Sequence, residues 1–141
     1  MAETVLANKT VLIVEDDIFL SNLLTTRLQK DGVSVLKAAD GEEALDLLRK
    51  NRPSLMTLDI IIPKKSGFEV MEEMQSDSML KGTPIIVVSN LGQEADIARA
   101  KSLGALAYFI KAQVSIDEIV TRIKMFLEKG TVWNKHITYN Q

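Results

Sequence analysis

Residues 53–70 read PSLMTLDIIIPKKSGFEV. Pro53 stops any helix before it. Leu55 to Leu58 is then a short apolar run that ends on a single carboxylate, Asp59. Burying a charge costs several kcal/mol unless something pairs with it. The run therefore reads as a buried strand whose last residue meets a partner from elsewhere in the chain. After Pro63, the segment Ser66-Gly67-Phe68-Glu69 has capping-box spacing and opens a helix to about Gln75. A buried strand followed by an amphipathic helix is the repeating unit of a parallel sheet.

The same alternation extends in both directions. Upstream, Thr10 to Val14 is a β-branched run ending in Glu15-Asp16-Asp17, with Asp17 placed to cap a helix from Ile18 to Lys30. Val33 to Ala38 is a second strand. Asp40-Gly41-Glu42-Glu43 has the spacing of another capping box and opens a helix through Lys50. Downstream, Pro84 precedes the run Ile85 to Val88, and a helix from about Gln93 to Leu103 ends at Gly104. Ala107 to Ile110 is the last strand. Ser115-Ile116-Asp117-Glu118 opens the last helix, with apolar residues at helical spacing to Leu127 and Gly130 at its end. Five strands alternate with five helices. Continuous apolar strands imply a doubly wound α/β fold, a parallel sheet covered on both faces.

Composition bounds the function. The chain has 141 residues, a net charge of −2 and no cysteine. One domain is expected at this length, by a prior of roughly 150 residues per domain. The near-neutral charge gives no pull toward nucleic acid or anionic membrane. No disulfide or thiolate metal site is available. The first ten residues lack the apolar core of a signal peptide, and no run approaches a membrane span of roughly 18 residues. A cytoplasmic location is the expectation. Residues 130–141 are expected to be a short, mobile tail, with no output domain. His136, the only histidine, falls in it. Met71, Met74 and Met79 are expected to fill core.

In an open parallel sheet, ligands bind at the carboxyl ends of the strands, where strand order reverses. Glu15 and Asp16 end the first strand, Asp59 the third, Ser89 the fourth and Lys111 the fifth. If the first and third strands are neighbours, three carboxylates converge and raise one another's pKa values. A hard divalent cation such as Mg2+ resolves that conflict with oxygen ligands, and the Lys111 ammonium adds positive charge. Singly, each residue has a plainer use: an Asp as a turn residue, Ser89 bonded to backbone, Lys111 solvated. Their placement at the ends of four strands on one edge is what the plainer uses leave unexplained.

The ordered set Val14-Glu15-Asp16-Asp17, Leu58-Asp59 with Pro63 and Gly67, Ser89, then Tyr108 with Lys111 resembles the receiver domain of two-component response regulators. The resemblance covers about residues 9–129. Each motif alone is weak; the set in this order and spacing is specific. It implies a flavodoxin-like sheet of order 2-1-3-4-5. It also implies that Asp59 is the phosphoryl acceptor, with Asp16 on Mg2+ directly, Glu15 through water, and Asp59 and the Ile61 backbone carbonyl as further ligands. Lys111 would bond Asp59 and then a phosphoryl oxygen, Ser89 would turn to another oxygen, and Tyr108 would turn inward behind it. The implied partners are a sensor histidine kinase or histidine phosphotransfer protein as donor and a protein effector as target. The chain would act as a monomer or a phosphorylation-dependent dimer. The usual output face is made by the fourth helix, fifth strand and fifth helix. Such a protein is no enzyme beyond its own phosphorylation and dephosphorylation.

Two residues depart from the family pattern. Ala112 stands where a proline in a cis peptide usually follows the lysine, and Asn90 stands where a small residue usually follows the switch hydroxyl. Ile61 and Leu91, two residues past the acceptor and past Ser89, are apolar and are expected to shield an acyl phosphate from water. Two other classes stay open. A pseudo-receiver would act by binding alone, against which stands the intact set of acids, hydroxyl and lysine. A small Mg2+-dependent phosphatase would need a second acid where Ile61 stands.

Overall fold

Apolar continuity becomes burial once the strands assemble. In the structure, a computed structural model describing residues 2–130, five parallel strands form one sheet. They are β1 (Thr10–Val14), β2 (Ser34–Ala38), β3 (Leu55–Leu58), β4 (Ile85–Ser89) and β5 (Ala107–Ile110), in the order β2-β1-β3-β4-β5. The interior strands β3 and β4 are buried along their whole length, as is β1 beyond Thr10, while the edge strand β2 is mostly open until Ala38.

Alternate residues of each strand feed two separate cores. Leu12, Val14, Met56, Leu58 and Val87 face one side, where α3 (Gly41–Lys50), α4 (Gly67–Ser76) and α5 (Glu94–Ser102) pack through Leu45, Leu48, Val70, Met71 and Ile97. Val11, Ile13, Leu55, Ile86 and Val88 face the other side. They meet α2 (Ile18–Lys30) and α6 (Ile116–Lys129) through Leu24, Leu28, Ile119 and Ile123. Burying each such side chain contributes roughly 1.5–3 kcal/mol. This two-sided burial is what selects a parallel sheet over an antiparallel one with a wet face.

Helix starts follow from their caps. The Asp17, Asp40, Ser66 and Ser115 side chains accept from the N–H of Leu20, Glu43, Glu69 and Glu118. The reciprocal box is complete at Ser66, where Glu69 also accepts from the Ser66 N–H at 2.9 Å. At Asp40 the return bond goes one residue further back: Glu43 accepts from the N–H of Ala39.

Two expectations are corrected, and one open point is settled. There are six α-helices among the described residues, because α1 (Ala2–Ala7) precedes the first strand and packs against α6. Six residues are too few to be a stable helix alone; Leu6, 6% exposed in the core beneath β1, holds it. Met71 and Met74 are core residues, but Met79 is 62% exposed, because the turn after α4 carries it outward toward Arg52. The Lys111–Ala112 peptide is trans, as is every described peptide bond, and the chain turns there through a short 3-10 segment, Lys111–Gln113. The expected tail from Thr131 onward, with His136, lies outside the described residues. No helix of the described residues is long and apolar enough to cross a membrane.

Candidate functional site at the strand ends

The chain leaves β1 toward β2 on one side and returns to β3 on the other, so the sheet reverses direction between β1 and β3. Val14 and Leu58 stand opposite each other at the carboxyl ends of these neighbours. The ladder continues one step beyond them. The Asp59 N–H donates to the Val14 carbonyl at 3.0 Å, and the Glu15 N–H donates to the Ala38 carbonyl at 2.9 Å. Backbone pairing therefore holds both acids in place. Carboxylate oxygens of Glu15, Asp16 and Asp59 come within 4.8 Å of one another. Glu15 and Asp59 are buried, and Asp16 is exposed.

The partner of Asp59 comes from the far end of the chain. Lys111 Nζ donates to Asp59 Oδ2 at 2.6 Å and to Glu15 Oε1 at 2.8 Å. The second contact was not anticipated from sequence. One ammonium thus bridges two buried carboxylates. The remaining Asp59 oxygen, Oδ1, accepts from the Ile61 N–H at 3.1 Å, and Glu15 Oε2 accepts from the Asp17 N–H at 3.1 Å. Burial pushes the Glu15 carboxyl above the usual range and the Asp59 charge adds to it, although the bonds from Lys111 and Asp17 pull it back. Burial would lower the Lys111 ammonium, but its hydrogen bonds to Asp59 and Glu15 outweigh this and leave it raised.

Close backbone approach supports the cluster. A Cβ on Gly67 would lie 2.6 Å from the Asp59 carbonyl oxygen, so only glycine lets the start of α4 come against the acceptor strand. Ser89 is fully buried at the end of β4, and its Oγ accepts from the Leu91 N–H at 3.2 Å. A hydroxyl that accepts retains its own proton to donate. Tyr108 lies inward and donates its hydroxyl to the Leu91 carbonyl. Burial first, then the charges of Asp96 and Asp59, push its phenol up to about 12. Of the two expected shields, Ile61 is 58% exposed, whereas Leu91 packs against the core between the sheet and α3–α5. Sequence reasoning also missed a contact between the two residues that break the family pattern. The Ala112 N–H donates to Asn90 Oδ1 at 3.1 Å.

Three carboxylates against one ammonium leave a surplus of negative charge in a partly dry site. All the donors are oxygens, and Asp16 opens the group to solvent. That set suits a hard divalent cation. A metal there would be held by Asp16, Asp59 and Glu15.

A model of the response regulator receiver domain matches residues 11–124. The chain belongs to the receiver-domain family of response regulators. It is 38% identical over 121 residues to the probable transcriptional regulator ycf27 of Cyanophora paradoxa, covering 86% of this chain and 49% of that relative. This chain thus spans about half the length of the ycf27 proteins it matches. It is 34% identical to the polar-differentiation response regulator DivK of Brucella anthropi, covering 84% of this chain and 96% of that one. Among solved structures, the phosphorylated cyanobacterial phytochrome response regulator RcpA superposes with a TM-score of 0.78 at 31% identity, covering 87% and 96% of the two chains. The Mn2+-bound form of response regulator Rcp1 superposes with a TM-score of 0.77 at 28% identity, covering 86% and 94%. Receiver domains of response regulators interact with histidine kinases or phosphotransfer proteins, and the acidic cluster described here fits their phosphoacceptor site.

Proposed function

We propose that this receiver domain accepts a phosphoryl group on Asp59 from a phosphohistidine donor, with Mg2+ bound beside it, and signals through phosphorylation-dependent protein contacts. The observation that carries this reading is Lys111 held at 2.6 Å from Asp59 while two further acids share the same strand ends. An Asp59 carboxylate oxygen attacks phosphorus, the phosphorus–nitrogen bond breaks, and the imidazole leaves with the electron pair. Phosphoryl transfer asks the protein mainly for positioning and cancellation of charge on the equatorial oxygens. Lys111 moves from the carboxylate to one of these oxygens. The Ser89 hydroxyl, with its proton free to donate, turns to another. The metal, when bound, neutralises charge on the carboxylates and the transferring group. The Ile61 carbonyl is assigned to the metal by the resemblance.

The family's output face corresponds to α5, β5 and α6 here, with Leu106 42% exposed beside it. The protein catalyses only its own phosphorylation and dephosphorylation. We place it in the cytoplasm, acting as a monomer or a phosphorylation-dependent dimer.

Incubation with acetyl phosphate and Mg2+, followed by intact-mass and peptide analysis, tests this directly. One phosphoryl group on Asp59, absent from Asp59→Asn, is the expected result. A modification that persists in the variant, or that maps to Ser89, would overturn the assignment.

A further inference from the structure

The parallel strands β4 and β5 end side by side, Ser89 opposite Ile110. Ser89, the switch hydroxyl, ends β4 and Lys111 directly follows β5, and three contacts tie these two strand ends together. The Tyr108 hydroxyl donates to the Leu91 carbonyl. Gly92 lies so close to Ile110 that a Cβ there would come within 2.7 Å of the isoleucine Cδ1. The third contact is the bond from the Ala112 N–H to Asn90 Oδ1.

That third bond has a definite job. Lys111 begins a 3-10 turn, and the first N–H groups of such a turn have no partner within it. The preceding residue ordinarily supplies a side-chain oxygen as a cap. Here it is Ile110, which has none, and no side-chain cap is made from that position. The cap comes instead from Asn90, in the neighbouring loop. A proline at residue 112 would have no N–H to donate to Asn90. Ala112 and Asn90 are thus two halves of one bond, and each lies one residue from a group of the site, Lys111 and Ser89.

We infer that Asn90 is a positioning residue: by capping the turn that starts at Lys111, it fixes the ammonium against Asp59 and Glu15 and couples that turn to the Ser89 loop. The inference rests on the phosphoacceptor reading above for its kinetic consequence, and on the Asn90–Ala112 contact for its structural one. Both residues are exposed, so removing the bond affects folding little. Misplacing a charged group in phosphoryl transfer affects rate far more.

The test measures phosphorylation rates with acetyl phosphate at saturating Mg2+, with hydrogen exchange at the Ala112 amide alongside. Asn90→Ala should slow phosphorylation about tenfold with little change in melting temperature. Asn90→Asp keeps an acceptor oxygen and should stay within about threefold of wild type. Ala112→Pro removes the same bond from the other side, so the double variant Asn90→Ala/Ala112→Pro should be no slower than the slower single. Multiplied losses in the double, an unchanged rate in Asn90→Ala, or equal losses in Asn90→Ala and Asn90→Asp would each overturn the inference. Should Ala112→Pro fail to fold, the Asn90→Ala and Asn90→Asp pair decides alone. If wild type takes no phosphate, the phosphoacceptor reading falls and amide exchange judges the cap. Protection at Ala112 that Asn90→Ala releases supports it; equal exchange in both overturns it.

Discussion

Replacing Lys111 with methionine keeps the aliphatic stem and removes the only cation that touches Glu15 and Asp59 among the described ion pairs. At separations of 2.8 and 2.6 Å, each attraction is worth about 6 kcal/mol gross at an effective dielectric constant of about 20. Desolvation of the ammonium offsets several kcal/mol of that. What the variant cannot escape is two carboxylates left buried beside each other. Breaking a buried pair from one side costs about 3–5 kcal/mol. The Lys111 side chain is 18% exposed, so water can partly replace it and the lower end applies. We expect a loss of about 3 kcal/mol at neutral pH, or roughly 10 °C in melting temperature. Urea unfolding across pH, with and without Mg2+, measures it. Glu15 has a raised pKa, which loss of the lysine raises further, so its charged form is the destabilised one. The deficit should therefore shrink as acid protonates Glu15. Lys111, also raised, contributes stability that is fully present below its unfolded value of 10.5 and lost as pH rises through its folded value. The deficit should therefore narrow at the alkaline end as well. Mg2+ should recover part of it. A deficit below about 1 kcal/mol, flat across pH, is what a solvated surface pair gives, and it would refute a buried, lysine-balanced cluster.

Three other outcomes follow from the same geometry. Mg2+ at tenfold over its dissociation constant should stabilise wild type by about 1.4 kcal/mol, and Asp16→Asn should remove most of that; a wild-type melting curve unmoved by millimolar Mg2+ counts against the metal site. In a Tyr139→Phe background, Tyr108 is the sole tyrosine, and absorbance titration should find it near 12 rather than 10.0; its raised value means stability is lost as pH climbs from the lower figure to the higher, and a midpoint near 10.0 would show an exposed phenol. Ile61→Asn, at the exposed shield position, should speed loss of the acyl phosphate about threefold, a barrier change of roughly 0.7 kcal/mol; decay equal to wild type, with Mg2+ and no phosphatase, would show that Ile61 does not exclude the water. Leu91→Gln should instead lower stability, because its side chain packs on the core.

Local chemistry by itself determined the elements and named the reactive groups. Short apolar runs rich in β-branched residues read as buried strands, side-chain oxygens at Asp17, Asp40, Ser66 and Ser115 can start helices without distant help, and a carboxylate at the end of LMTL calls for a partner. Those signals act over a few residues and are readable in one dimension. Tertiary structure decided what depends on distant segments meeting. Helix α1 was illegible because its six residues are held by Leu6 against elements far along the chain. Met79 and Met74 look alike in sequence, and only the path of the turn after α4 exposes one and buries the other. Lys111 could be matched to Asp59 in advance, but its second bond to Glu15 exists because β1 and β3 end together beneath it. Asn90 and Ala112 read as two unrelated departures from a pattern. They form one hydrogen bond because parallel pairing of β4 with β5 sets their loops side by side, so that a side chain of one loop caps the turn of the other.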